Sequence, residues 1–198
     1  WITLAGRTSA GVWDSTTIKF NTVGDYLFAP LTERIRGASP APEDEVSGER
    51  KHFDYLMRDH YKFMNAAKRS ILPGEHVLAS VMQPEMRADL VRFFGRTLHR
   101  TLAPAHILIL TDRELILVAE EEHSYWSREP KYGSIRTTVP LAQILDTALV
   151  TTDKGVQLVV QLPGEKNLVS LFAPAQQPAL EALLLALRSA PVPGRGTT

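Results

Sequence analysis

The stretch ILILTDRELILV, residues 107–118, consists of two apolar runs parted by Thr111-Asp112-Arg113. Apolar runs of this length bounded by a turn signal read as strands, and so short a connection joins only antiparallel neighbours. HVLASV (76–81) precedes this hairpin. It is followed by SIRTTV (134–139), a stretch around 145–151, VQLVVQL (156–162) and NLVSLF (167–172), giving seven strands in all. Asp153-Lys154-Gly155 and Pro163-Gly164-Glu165-Lys166 supply further short turns, so the spacing predicts a meander and not a parallel array. Beyond Pro174 and Pro178, residues 179–189 carry Leu180, Leu183, Leu184 and Leu187 on one helical face. Strands followed by one amphipathic helix bury that helix on the open end or face of a curved sheet, so the fold class is mainly β with α.

In this order of elements the sequence resembles the bacterial branch of the pleckstrin-homology-like (PH-like) superfamily. The matching pieces are Leu72-Pro73-Gly74-Glu75 before the first strand, the hairpin 107–118, and Tyr132-Gly133-Ser134-Ile135 leading to Val139-Pro140-Leu141. The resemblance covers about residues 72–189 and implies a seven-stranded barrel, spanning 73–189, capped by the C-terminal helix. Its motifs are turn and core positions, so it implies a binding module without naming a ligand. Two features depart from the superfamily's pattern. The connection from Gln83 to Pro104 is longer than a tight first hairpin needs, and no cluster of Lys and Arg flanks that hairpin as in strong phosphoinositide binders.

Ahead of the barrel, residues 49–72 place Phe53, Leu56, Met57, Met64, Ala67 and Ile71 at helical spacings, and Pro73-Gly74 stops the pattern. The expectation is one long connecting helix, with His60 in its apolar stripe as a packing residue. GASPAPEDEVSG (37–48) offers no apolar face and reads as a linker, and 190–198 as a fraying tail. Residues 1–36 hold two strand-like segments, 1–6 and 16–20, then Val23, Leu27, Leu31 and Ile35 at helical spacing. This repeats the strand, proline and helix order of 169–185 and reads as the end of a first PH-like unit, a partial tandem repeat. The alternative is a hairpin and helix docked on a single barrel.

Composition narrows the function. Lys plus Arg and Asp plus Glu are both 22, so the net charge is zero and gives no general attraction to nucleic acid. There is no Cys, which excludes disulfides, thiol catalysis and thiolate metal sites. The apolar run 179–187 contains Glu181 and is too short to span a bilayer, and no leader pattern opens the chain, so the expected location is cytoplasmic. No glycine-rich phosphate loop or GxSxG elbow is present, Arg7 standing where the elbow's first Gly belongs. His52 and His60 are eight apart, unlike metal ligands on a helix, and the consecutive Glu120-Glu121-Glu122-His123 point in different directions. The reading is therefore a non-catalytic module with no cofactor.

Charge is nevertheless uneven, with ten basic and six acidic residues over 49–104. Within PEMRADLVRFFGRTLHRT (84–101), a helix starting at Pro84 would gather Met86, Leu90, Phe93, Phe94, Thr97 and Leu98 on one face. Arg87, Arg92, Arg96, His99 and Arg100 would make it basic, although Gly95 weakens it by about 1 kcal/mol relative to Ala. Such a segment can dock on an anionic membrane surface or a protein partner, or its aromatic face can cover the barrel opening. Tyr125, Trp126 and Arg128, in the connection before residue 134, form a second candidate recognition loop. Binding to protein or lipid is the leading function. A structural domain self-associating through the incomplete N-terminal unit is the alternative, and an enzyme of unrecognised type the third.

Overall fold

The computed structural model describes residues 2–7, 13–18, 34, 48–93, 96–120 and 134–190. Eleven strands are present among them: β1 Ile2–Arg7, β2 Trp13–Ile18, β3 Val77–Gln83, β4 Met86–Phe93, β5 Arg96–Ala103 and β6 His106–Thr111. Then follow β7 Glu114–Glu120, β8 Ser134–Pro140, β9 Asp146–Thr152, β10 Gly155–Leu162 and β11 Lys166–Phe172. The helices are α1 Tyr61–Ser70 and α2 Gln177–Ser189. No helix among the described residues is long and apolar enough to cross a membrane.

The seven expected strands form as β3 and β6–β11, and all neighbouring pairs among them are antiparallel. They are divided between two sheets, β3, β6, β7 and β8 standing together in one and β9–β11 in the other. This differs from one continuous sheet. The division falls at Leu141–Gln143, a 3-10 turn whose first amide donates to the Arg113 carbonyl at 2.8 Å and redirects the chain after β8. β1 and β2 pair antiparallel, and β1 adds to the edge of β8 through a parallel bridge of Ile2 with Arg136. The helix expected within 22–36, all but Arg34, the linker 37–47 and the tail 191–198 lie outside the described residues.

The core lies between the two sheets. Leu108, Leu110, Leu115 and Val139 from one meet Val156, Leu158, Val160 and Phe172 from the other, and Leu180, Leu183, Leu184 and Leu187 of α2 close the space. Strand alternation sends Ile107, Ile109, Ile116 and Val118 to the opposite face, where they also are buried. The cover there is the segment 48–72, through Phe53, Leu56, Phe63, Met64, Ala67 and Ile71. This explains why β6 is apolar at nearly every position: both of its faces are interior.

That covering segment is not the single helix expected. It consists of one helical turn at 48–51, a 3-10 turn at Asp54–Leu56, and α1. The backbone leaves helical geometry at Phe53 (ψ 2°) and at His60 (φ −139°, ψ 42°), and the bends let both apolar groups reach a twisted sheet. His60 thereby becomes the N-cap residue of α1, its carbonyl accepting from Met64 N at 2.9 Å, and not a member of the buried stripe. At the other end, Gly74 takes φ 73° in the turn that opens β3, and the buried Glu75 carboxylate accepts the Leu72 amide at 2.8 Å.

Candidate binding surface

Residues 84–101, expected to be a helix, form most of a β4–β5 ribbon instead. Its pairs run Met86 with Ala103, Arg87 with Thr101, Ala88 with Arg100, Asp89 with His99, Val91 with Leu98, Arg92 with Thr97 and Phe93 with Arg96. Long-range pairing explains the difference. β3 and β6 are in register up to Gln83 with His106, so the chains leaving them are already side by side. Continuing the ladder across Pro84 and Pro104 satisfies both backbones, and Gly95 then falls between the two strands, where a helix would find it a weak point.

The ribbon's charges are separated along its length. Near the base, Glu85 accepts from Arg87 Nε at 2.9 Å and from Thr101 Oγ1 at 2.9 Å, and Asp89 lies 2.7 Å from His99 Nδ1. The hydrogen bond and charge of Glu85 raise the Arg87 guanidinium further above its ordinary value. From residue 90 to 101 the sequence has Arg92, Arg96 and Arg100 and no acidic residue. Arg92 and Phe93 end β4 and Arg96 begins β5, so these three positions adjoin the reversal, while the exposed Arg100, opposite Ala88, lies on the base side of the Asp89–His99 pair. Arg87 belongs to the paired base. Phe94, Tyr125, Trp126 and Arg128 lie outside the described residues.

Two residues that the sequence reading passed over fasten the ribbon to the body. Gln83 is buried, donates Nε2 to the Pro84 carbonyl at 2.7 Å, and accepts the Ala173 amide on Oε1 at 2.7 Å, tying the junction of β3 and β4 to the end of β11. Opposite it, His106 is 3% exposed and donates Nδ1–H to the Pro104 carbonyl at 2.8 Å. Its ring meets Phe172 edge-on at 4.7 Å, and its Nε2 is buried with no hydrogen-bond partner among the described residues. The available signal was Pro84 and Pro104 bracketing the insertion, each close to one of these residues.

Burial lowers the His106 pKa, and the Pro104 hydrogen bond only partly opposes it. The unfolded chain binds a proton as pH falls below the ordinary value of 6.5, whereas the folded ring stays neutral until lower pH. Stability should therefore decline as pH drops from about 6.5 towards the lowered folded value, and be unaffected by this residue above that window. Denaturant titrations across pH 7 to 5 should show His106→Phe with a shallower decline than the parent. Equal slopes would mean that His106 does not titrate differently in the two states.

His52 Nε2 and Tyr55 Oη both contact Ser80 Oγ, at 3.3 and 3.0 Å, linking the cover to β3. Among the described residues no three His, Asp or Glu side chains converge on a common point that would hold a metal.

No family model matches the sequence, and no curated protein matches it. Among solved structures it is similar to the crystal structure of a DUF1696 family protein with a pleckstrin-homology domain from Shewanella loihica pv-4. That likeness has a TM-score of 0.39 at 11% identity, and covers 66% of this chain and 91% of the other.

Proposed function

We propose that this chain is a non-catalytic binding module of PH-like build, and that its β4–β5 ribbon attaches to an anionic lipid surface. The strand grouping of four and three with a C-terminal helix supports the architecture. The observation that carries the function is the charge separation along the ribbon. Its acids, Glu85 and Asp89, lie in the half away from the reversal and have partners of their own, while the sequence groups Arg92, Phe93, Phe94 and Arg96 where β4 gives way to β5. A net charge of zero argues against long-range attraction of the whole molecule, so attachment has to be local.

Each Arg near an anionic bilayer contributes about 1 kcal/mol, and each Phe ring transferred into the acyl boundary roughly 1.5–3 kcal/mol. Two rings and two Arg give weak, reversible attachment after the cost of immobilisation is subtracted. Because exposed charges act over only about 10 Å at 0.1 M salt, attachment should fall steeply as ionic strength rises. Co-sedimentation with vesicles containing phosphatidylserine, against neutral vesicles, tests this directly. Salt-sensitive binding to the anionic vesicles alone is expected. Absence of binding to either, with capture of a protein partner through the same ribbon, would replace the lipid by a protein surface.

A further inference from the structure

Where the β4–β5 ribbon leaves the body, Gln83 on β3 stands opposite His106 on β6, and both side chains are buried. Each holds a proline carbonyl at the ribbon's base and reaches the end of β11. Gln83 does so through Pro84 and the Ala173 amide, His106 through Pro104 and the Phe172 ring. The difference between them is His106 Nε2, which is buried with no partner among the described residues. Because Nδ1–H is given to Pro104, Nε2 is a bare lone pair, which an interior tolerates. A proton there would add a positive charge and an N–H with no acceptor.

The charged groups on the neighbouring elements are turned away or already engaged. Ala119 pairs with His106 from β7, and Glu120 after it follows Ile116 and Val118 to the opposite sheet face, where it holds Lys62 of α1 at 3.1 Å. α2 turns its leucines inward and leaves Glu181 and Arg188 exposed. Lys166 is at the other end of β11 from Phe172, β3 and β10 carry no charge, and Asp153 and Lys154 are exposed in the turn before β10. On the ribbon, Glu85 serves Arg87 and Thr101, His99 lies against Asp89, and Arg100 is exposed.

We infer that His106 is a proton-operated latch: neutral, it fixes the base of the ribbon to the body, and on taking a proton it leaves its site and frees the ribbon. Release is local because His106 is the first residue of β6. Turning it outward undoes its pairs with Gln83 and Ala119 and the Pro104 bond, and spares the pairing of 107–111. A two-stranded ribbon is marginal in water by itself, so it opens once its base is undone. The freed imidazole has its ordinary value of 6.5, whereas burial holds the latched ring lower. The open population therefore rises as pH falls, by about tenfold per pH unit between 6.5 and the latched value. Whatever surface the ribbon's end meets, its presentation then depends on pH.

Hydrogen exchange followed by mass spectrometry from about pH 7.5 to 4.5, each rate divided by that of the unfolded chain at the same pH, reads ribbon and body separately. In the parent, protection of 86–103 should fall about tenfold per pH unit below 6.5 while that of 107–118 holds. His99→Gln removes the ribbon's own imidazole and should behave as the parent does. His106→Phe keeps a ring in the site that cannot titrate, and should leave ribbon protection independent of pH in that window. The first two comparisons need no change at His106. Ribbon protection in the parent that does not vary with pH, or loss of protection in 86–103 and 107–118 together, would overturn the proposal. So would a pH dependence that vanishes with His99→Gln or survives His106→Phe. None of these outcomes depends on vesicle binding.

Discussion

Replacing Phe53 by alanine is expected to destabilise the protein by about 3–5 kcal/mol. The side chain is 0% exposed and sits with Leu56, Met64 and Ile71 on the outer face of the sheet against Ile107, Ile109 and Val118. Its removal opens a cavity between cover and sheet that the bent segment 48–72 can close only by abandoning other contacts. A denaturant titration measures the loss as a lower midpoint at unchanged slope. The magnitude also decides what the segment is. A connector beside a self-sufficient barrel would tolerate the change within about 0.5 kcal/mol, as surface substitutions do. A loss of several kcal/mol makes it part of the folding unit.

Gly155→Ala should cost about 3 kcal/mol or more, for a reason confined to backbone geometry. Gly155 has φ 144°, which L side chains rarely adopt, and a Cβ there would stand 2.3 Å from the Phe172 carbonyl oxygen. The obstruction is backbone, so relief requires opening the pairing of Val156 with Phe172 at the end of β10 and β11. Phe172 is also the ring against which His106 packs, so the strain reaches the anchor of the ribbon. Gly164→Ala, in a turn at φ 77°, serves as a comparison and should cost only about 1 kcal/mol. A melt in which the two variants behave alike would show that the close approach of Gly155 to β11 does not persist.

The strands were legible because they combine two signals, apolar runs and short turn chemistry. Thr111-Asp112-Arg113 and Asp153-Lys154-Gly155 both lie where two antiparallel strands meet. The ribbon was not legible, because Leu90, Phe93 and Leu98 satisfy a helical spacing although they lie on β4 and β5. What decides between the two is the alignment of β3 with β6, a contact between residues distant in sequence. Similarly, the apolar spacing in 49–72 correctly identified most of the buried residues, while the bends at Phe53 and His60 depend on the curvature of the sheet beneath. The isolation of His106 depends on Phe172 and Ala173 arriving from the last strand, so no local pattern announces it. Of the candidate binding residues, Arg92, Phe93 and Arg96 fall on β4 and β5 and not on a helix, and Arg87 is engaged by Glu85.

On the proposed reading, the end of the β4–β5 ribbon is a contact surface for anionic lipid and not part of the core. The most direct measurement takes one variant, Phe93→Ser with Phe94→Ser, through two assays: co-sedimentation with vesicles containing phosphatidylserine, and a urea titration. If the account holds, vesicle binding is lost and the urea midpoint stays within error of the parent, because neither ring supports the body. If instead the rings close the space between the sheets, the midpoint falls by the equivalent of several kcal/mol. That result, or vesicle binding unchanged by the double substitution, would contradict the claim.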